Sequence, residues 1–145
     1  AVLIASKSSP SFNFFKFFNG GELEVNWSFP AGVTKDTHAN LIAAAELEFY
    51  VHDDMYKKFA QVALEEGFNR AADTFDAISV AEKQHEKMYR QLAANIAQDL
   101  VFKRDGETSW RCLSCGYLHS GTEPPDKCPA CVKPSGYFEL LGENW

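Results

Sequence analysis

Apolar residues recur at three- and four-residue steps along two long stretches of the chain. From Ala71 to Ile96, the residues Ala72, Phe75, Ile78, Tyr89, Leu92 and Ile96 fall on one line, the spacing of a single helix face. Upstream, Leu41, Ala44, Ala45, Met55, Phe59 and Val62 repeat the pattern. Thr37 is placed to cap that first helix, which runs to about Glu66, and Gly67 to stop it. The second helix starts near Asn69 and runs to about Gln98. Only a tight turn separates the two, so they are predicted to pack antiparallel. Both apolar lines are interrupted at their centres, by Glu48 in the first and by Glu82 and His85 in the second. A carboxylate or imidazole inside an apolar stripe is costly unless something pairs with it. Metal is a natural partner, because Glu-x-x-His at i, i+3 is a ligand pair that helical di-metal bundles project inward. A solvated glutamate beside a satisfied core histidine fits the same spacing, so this pair alone does not decide the matter.

Outside these stretches the pattern changes. AVLIASKSSPS at the start lacks periodicity and is too short for a secretory apolar region plus cleavage site. FNFFKFF, from Phe12 to Phe18, reads as a short helix end stopped by Gly20 and Gly21, or as a buried loop anchor. If exposed, it would be a patch in search of a partner. GELEVNWSFPAG alternates Leu23, Val25 and Trp27 with polar residues, as a short extended segment does, until Pro30 and Gly32 end it. VFKRDGETS is a polar linker. The expected organisation is therefore an N-terminal segment over 1–35, a helical hairpin over 36–100 and a small separate unit over 107–145.

That last unit carries all four cysteines, Cys112, Cys115, Cys128 and Cys131, as C-x2-C-x12-C-x2-C. Some forty residues cannot hold a core unaided, so the thiolates are expected to staple it around one tetrahedral metal. Gly116, whose backbone N–H can approach sulfur, and the aromatic Tyr117, Phe138 and Trp145, which would exclude water, favour iron. Zinc ribbons share the spacing, and zinc stays open. No cysteine is left over for a disulfide frame, so a reducing compartment is expected: the cytoplasm, or a reducing organelle lumen if the N-terminus is processed. The formal net charge of −6 argues against nucleic acid or an anionic membrane as the main partner. No apolar run is long enough to span a bilayer.

NGGELEV, FPAG, DTHANLIA, EEGF, VAEKQHEKMY and CGYLHSGTEPPDKCPACVKPSGYFELLGENW resemble stretches of the rubrerythrin family, in that family's order, from about Phe14 to Trp145. The resemblance implies a mainly α fold: a ferritin-like helical domain with a non-haem di-iron site, then a small rubredoxin-like β/knuckle domain holding one iron. It implies reduction of hydrogen peroxide to water, with electrons entering at the rubredoxin-like iron from a reductase that the sequence does not identify. By position, Glu48, Glu82 and His85 fall on the di-iron ligands that carry the catalysis, and the four cysteines on the thiolate ligands.

Two departures from the family stand out. The family has four bundle helices, and its first two bring another Glu and another Glu-x-x-His. Here FNFFKFFNGG resembles only the tail of the second, and Lys7 and Pro10 stand where its Glu and His belong. The family's third helix also carries a second glutamate that takes part in a redox-linked ligand change, and Val51 occupies that position. His52 is a nearby donor, but a straight helix turns it about 40° off the Glu48 line.

One chain thus offers three bundle ligands, too few for two irons. Two chains offer four glutamates and two histidines, the full ligand count of a ferritin-like di-metal site. The leading expectation is an enzyme: a homodimer in which each hairpin is half of a four-helix bundle. The strip left uncovered in one hairpin is expected to include Met55, Phe59, Phe75 and Tyr89, with FNFFKFF capping one end of the bundle. Rival readings are a rubredoxin-type electron carrier whose helices only dimerise, a subunit docked through FNFFKFF onto a larger assembly, and a fragment of a longer gene.

Overall fold

The computed structural model describes Lys16, Phe17, Glu22, Glu24 and residues 34–142. The expectations for the rest of FNFFKFF, for the extended Leu23–Trp27 segment and for Trp145 lie outside the described residues. The chain divides into two compact units after Ala93.

The first unit is a helical hairpin. Helix α1, Thr37–Tyr50, is capped one residue earlier than expected, by Asp36, whose carboxylate accepts from the Ala39 backbone N–H at 2.8 Å. Asp36 is extended while Thr37 is already helical, so the aspartate is the residue placed to meet an unpaired first-turn donor. Without a break, α1 passes into a π-helical turn, Val51–Met55, and then into α2, Tyr56–Glu65. The Tyr56 N–H donates to the Val51 carbonyl five residues back. Gly67, at φ +84, ends α2. There Phe68 N–H bonds the Ala63 carbonyl at 2.7 Å and Gly67 N–H the Leu64 carbonyl at 3.1 Å, the paired bonds of a Schellman stop. Helix α3 follows at once, Asn69–Ala97. Ala60, Ala63 and Ala72 are buried where α2 and α3 meet, with Phe75 packed against them. Phe75 stacks with Phe59 and Tyr56 at ring separations of 5.5 and 5.6 Å.

The π-turn changes which residues face inward. Glu48, His52, Tyr56 and Ala60 are separated by steps of four, and on a straight α-helix three such steps drift about 120° round the axis. An i→i+5 ladder winds each residue about 20° less, so five residues take back about 100°. The four positions therefore stay on one line, and His52 and Ala60 are buried. This corrects three expectations. His52 does not turn away from the Glu48 line. Val62 is exposed, while Ala60 and Ala63 are buried in its stead. Met55, Phe59, Phe75 and Tyr89 are half-buried rather than an open strip, Phe59 and Phe75 because they stack on each other. The exposed large apolar side chains of the hairpin are instead Leu47, Phe49, Tyr50, Val62, Leu64, Phe68, Val80, Met88 and Leu92.

The second unit is a three-stranded antiparallel sheet ordered β2-β1-β3, with β1 at Thr108–Cys112, β2 at Leu118–Gly121 and β3 at Phe138–Leu140. Trp110 pairs with His119 on one side and Leu140 on the other, and Cys112 pairs with Phe138. Its buried cluster is Trp110, Cys112, Cys128 and Phe138, with Tyr117 and Cys131 packed against it. The Trp110 indole N–H satisfies itself on the Gly121 carbonyl at 3.1 Å. Half of this cluster is cysteine, so whatever joins the sulfurs is part of the core. A mainly helical hairpin followed by a small cysteine-knuckle sheet is the architecture the sequence pattern led us to expect. No helix among the described residues is long and apolar enough to cross a membrane.

Candidate metal centres

The four cysteine sulfurs converge. All lie within 4.8 Å of one another, with Cys112 Sγ 3.7 Å from Cys131 Sγ and Cys115 Sγ 3.6 Å from Cys128 Sγ. These distances are far beyond the ~2.05 Å of a disulfide. A tetrahedron with metal–sulfur bonds of ~2.3 Å has edges of about 3.8 Å, so the sulfurs fit one tetrahedral metal.

Two near-identical knuckles set this geometry. Gly116 N–H donates to the Cys112 carbonyl, and Val132 N–H to the Cys128 carbonyl, both at 2.8 Å. Gly116 and Val132 lie at φ +80 and +60, the left-handed conformation that lets the chain double back. Nothing lies within 4 Å of where a Cβ on Gly116 would stand, so its glycine answers to the backbone angle and not to crowding. Gly116 spends its N–H on a carbonyl, and the N–H groups aimed at sulfur belong one residue later. Tyr117 N–H lowers the Cys115 thiol, but burial and the other three thiols outweigh it and push Cys115 up to about 12. Lys133 N–H, helped by the other thiols against burial, brings Cys131 down to about 7.

The hairpin holds the second cluster. Glu48 from α1 and Glu82 and His85 from α3 bring donor atoms within 4.8 Å of one another. His85 Nδ1 is 2.7 Å from Glu82 Oε2 and 3.7 Å from Glu48 Oε1. Side-chain exposure rises from 10% at Glu82 through 21% at Glu48 to 46% at His85, so the cluster is rooted between the helices and open at its histidine edge. Burial raises the Glu48 carboxyl above its ordinary range. The charge of Glu82 and a hydrogen bond with it add to this, and the two histidines His85 and His52 oppose it. Two carboxyl groups this close share a proton unless a cation takes its place, and two oxygens with one imidazole nitrogen are a donor set suited to iron.

Two nearby residues, Tyr56 and Glu86, escaped the sequence reading, and a third, His52, was expected off the Glu48 line. Tyr56 is raised above the usual phenol range by burial and then by the charges of Glu82 and Glu48, so its hydroxyl stays protonated beside them. His52, only 8% exposed, pairs Nε2 with Glu86 Oε2 at 2.7 Å, and Glu86 Oε1 accepts from Arg90 Nε at 2.7 Å. These bonds hold the Glu86 carboxyl below its ordinary range, His52 first and then Arg90. The four-residue step from Glu86 to Arg90 was legible. The inward turn of His52 was not, because it depends on the π-turn. Val51, at the head of that turn, is half-buried and offers no donor.

Comparison with known proteins agrees with this division. A model of the rubrerythrin family matches residues 13–93, and a model of the rubrerythrin rubredoxin-like domain matches residues 110–139. A rubrerythrin of Nitratidesulfovibrio vulgaris is 51% identical over 90% of this chain and 69% of its own length. Rubrerythrin-1 of Clostridium acetobutylicum is 42% identical over 91% of this chain and 70% of its own. A solved structure of nigerythrin in a partially reduced state overlaps 91% of this chain but only 61% of its own, at 28% identity and a TM-score of 0.49. With both units matched in order, and with half of the aligned residues shared with one relative across nine-tenths of this chain, the chain belongs to the rubrerythrin family.

Proposed function

We propose that this protein is a non-haem iron oxidoreductase that reduces hydrogen peroxide to water. Cys112, Cys115, Cys128 and Cys131 would hold one iron per chain, and Glu48, Glu82 and His85 of two copies would hold a shared di-iron centre. The observation that carries this reading is the convergence of the three hairpin donors beside an exposed histidine edge. Bound iron would supply the redox chemistry, one-electron transfer at the thiolates and two-electron reduction of peroxide at the carboxylates.

The chain's own groups suit that task. Reducing peroxide to two waters takes up two protons and two electrons. Glu48, whose carboxyl is pushed up by burial and by Glu82 when no metal is bound, would take the metal in place of that proton. Tyr56 keeps its own proton and can donate a hydrogen bond from the buried side. Glu82, the most buried of the three, anchors His85 through Nδ1. The open edge at His85 leaves a way in for a small substrate.

The second copy is called for by ligand count and by surface. Three donors are half of the six a ferritin-like di-metal site uses. His85, Met88 and Leu92 stand at i, i+3 and i+7 on one face of α3, and Met88, Leu92 and, on α1, Leu47 and Tyr50 are exposed. A partner covering four such side chains would gain roughly 1.5–3 kcal/mol for each one fully buried. A two-fold arrangement is the commonest closed form.

Metal analysis with native mass tests the whole reading. The expected result is a dimer with two irons per chain, falling to one in Glu48→Ala, red when oxidised, and consuming peroxide when reduced. Colourless protein with zinc at the cysteines, or a monomer with two irons in its helical unit, would overturn it. The rival carrier role is favoured by the donorless Val51. One iron per chain in the unaltered protein, with peroxide left untouched, would establish it.

A further inference from the structure

The π-turn places His52 one turn from Glu48 on one side and one turn from Tyr56 on the other, along the line that faces α3. Across from it, Glu86 is the residue after His85. Both Glu86 oxygens are in use, Oε2 on His52 and Oε1 on Arg90, each at 2.7 Å. The Phe49 ring stands edge-on to the His52 imidazole at 5.5 Å and limits how it can turn. A widened i→i+5 ladder is less regular than the helix on either side. Its angular setting against α3 therefore depends on what the side chains at that level hold.

We propose that His52, acting through Glu86, is a positioning residue for the Glu48–Glu82–His85 donors: it pins the π-turn to α3 one turn from the cluster and so fixes Glu48 against His85. This rests on the reading that the cluster holds metal. Without the pin, Glu48 would be carried on a helix free to roll at its widest turn. Outer partners of this kind typically account for 10–100-fold in metal affinity.

The test uses the full-length chain, cobalt(II) as the probe, and the variants His52→Leu and His52→Gln. Glutamine keeps an N–H donor for Glu86, and leucine keeps the bulk without it. Thiolate-to-cobalt bands report the cysteine site in the same sample, and weaker visible bands report the oxygen and nitrogen site. The expected result is that His52→Leu weakens cobalt at the hairpin 10–100-fold while the cysteine site is unchanged, and that His52→Gln returns to within about threefold of the unaltered chain. In the metal-free chain, amide hydrogen exchange at residues 51–56 and 82–86 should quicken in His52→Leu and recover in His52→Gln. Unchanged cobalt affinity in His52→Leu would overturn the positioning role, even if exchange quickened. A glutamine variant as weak as the leucine one would overturn its hydrogen-bond basis. If the unaltered chain takes cobalt only at its thiolates, the metal reading fails, and the pin stands or falls on exchange alone, with unchanged protection in His52→Leu overturning it.

Discussion

Replacing Glu48 with Gln should stabilise the metal-free hairpin and destabilise the metal-loaded one. The two carboxylates, Glu48 and Glu82, present oxygens within 4.8 Å. At an effective dielectric of about 20, unit charges that far apart repel by about 3.5 kcal/mol. Solvent at the partly exposed Glu48 screens most of this, and the raised Glu48 carboxyl is the same repulsion seen in titration, at about 1.4 kcal/mol per unit of pKa. A gain of about 1 kcal/mol on removing the charge is what remains. With metal the sign reverses, because a ligand is lost. If its affinity falls 100-fold from a saturating start, about 2.7 kcal/mol of ligand stabilisation goes with it. The pH dependence follows from the direction of the shift. The fold favours the protonated form of Glu48, so the charged form costs stability at neutral pH, and that cost disappears as pH falls below the unfolded value near 4.5. The gain in Glu48→Gln should therefore be full at pH 8 and absent at pH 4. Far-UV circular dichroism melts at both pH values, with and without cobalt(II), read all four quantities. A glutamine variant less stable than the parent without metal at pH 8, or shifted alike with and without metal, would refute the reasoning.

Other outcomes follow from the same structure. Val132, 68% exposed, holds a left-handed φ that costs a side-chain-bearing residue roughly 1–2 kcal/mol, against roughly 0.5–1 kcal/mol of added chain freedom for glycine. Val132→Gly should thus raise the denaturant midpoint of the metal-loaded knuckle unit by the equivalent of about 0.5–1 kcal/mol, and Gly116→Val should lower it comparably; opposite signs from these would mean the two knuckles are not alike. Stripping metal from the cysteines should expose Trp110 and red-shift its fluorescence while the helical signal from 37–65 and 69–97 persists, since half of the sheet unit's buried cluster is thiol; an unshifted spectrum would show that the sheet core stands alone. Val51→Glu places a carboxylate at the head of the π-turn and should quicken the proposed peroxide turnover at equal iron content, and an unchanged or slower rate would count against Val51 as the limiting departure.

Much of the site was legible in the sequence, for one physical reason: polar residues inside an apolar stripe carry information. Glu82 and His85 stood out because nothing else on their line was polar, and the cysteine spacing left few alternatives. Within each group the geometry brings the donors together. Positions after the π-turn were misread because periodicity assumes a constant 100° per residue, and VHDDM contains no proline or glycine to signal a change of winding. That one assumption accounts for His52 appearing off-line and for Val62 being taken as buried in place of Ala60 and Ala63. The Asp36 cap was missed by a single residue because Asp and Thr are both good caps. Val132 at positive φ could not have been read from residue type, since a β-branched side chain is among the least expected there. Its symmetry with Gly116 across the two C-x-x-C pairs was the only available hint.

The five-residue π-turn has a consequence for how such a chain can vary. Its slack of about 100° equals one residue of ordinary α-helix. Deleting a single residue between Val51 and Met55 would let the segment relax into a regular helix at no loss of hydrogen bonds. Four α-helical residues wind about 400°, as five π-turn residues do, so Glu48 would still meet Glu82 and His85 and Ala60 and Ala63 would still face α3, whereas straightening without the deletion would turn the two halves apart by about 100°. The loss of one residue can thus be absorbed along this stretch, and what goes with it is the setting of His52 on the Glu48 line. The number of residues between Glu48 and Ala60 can thus fall by one without taking either side chain off its face, a freedom that a tally of matching residues does not register.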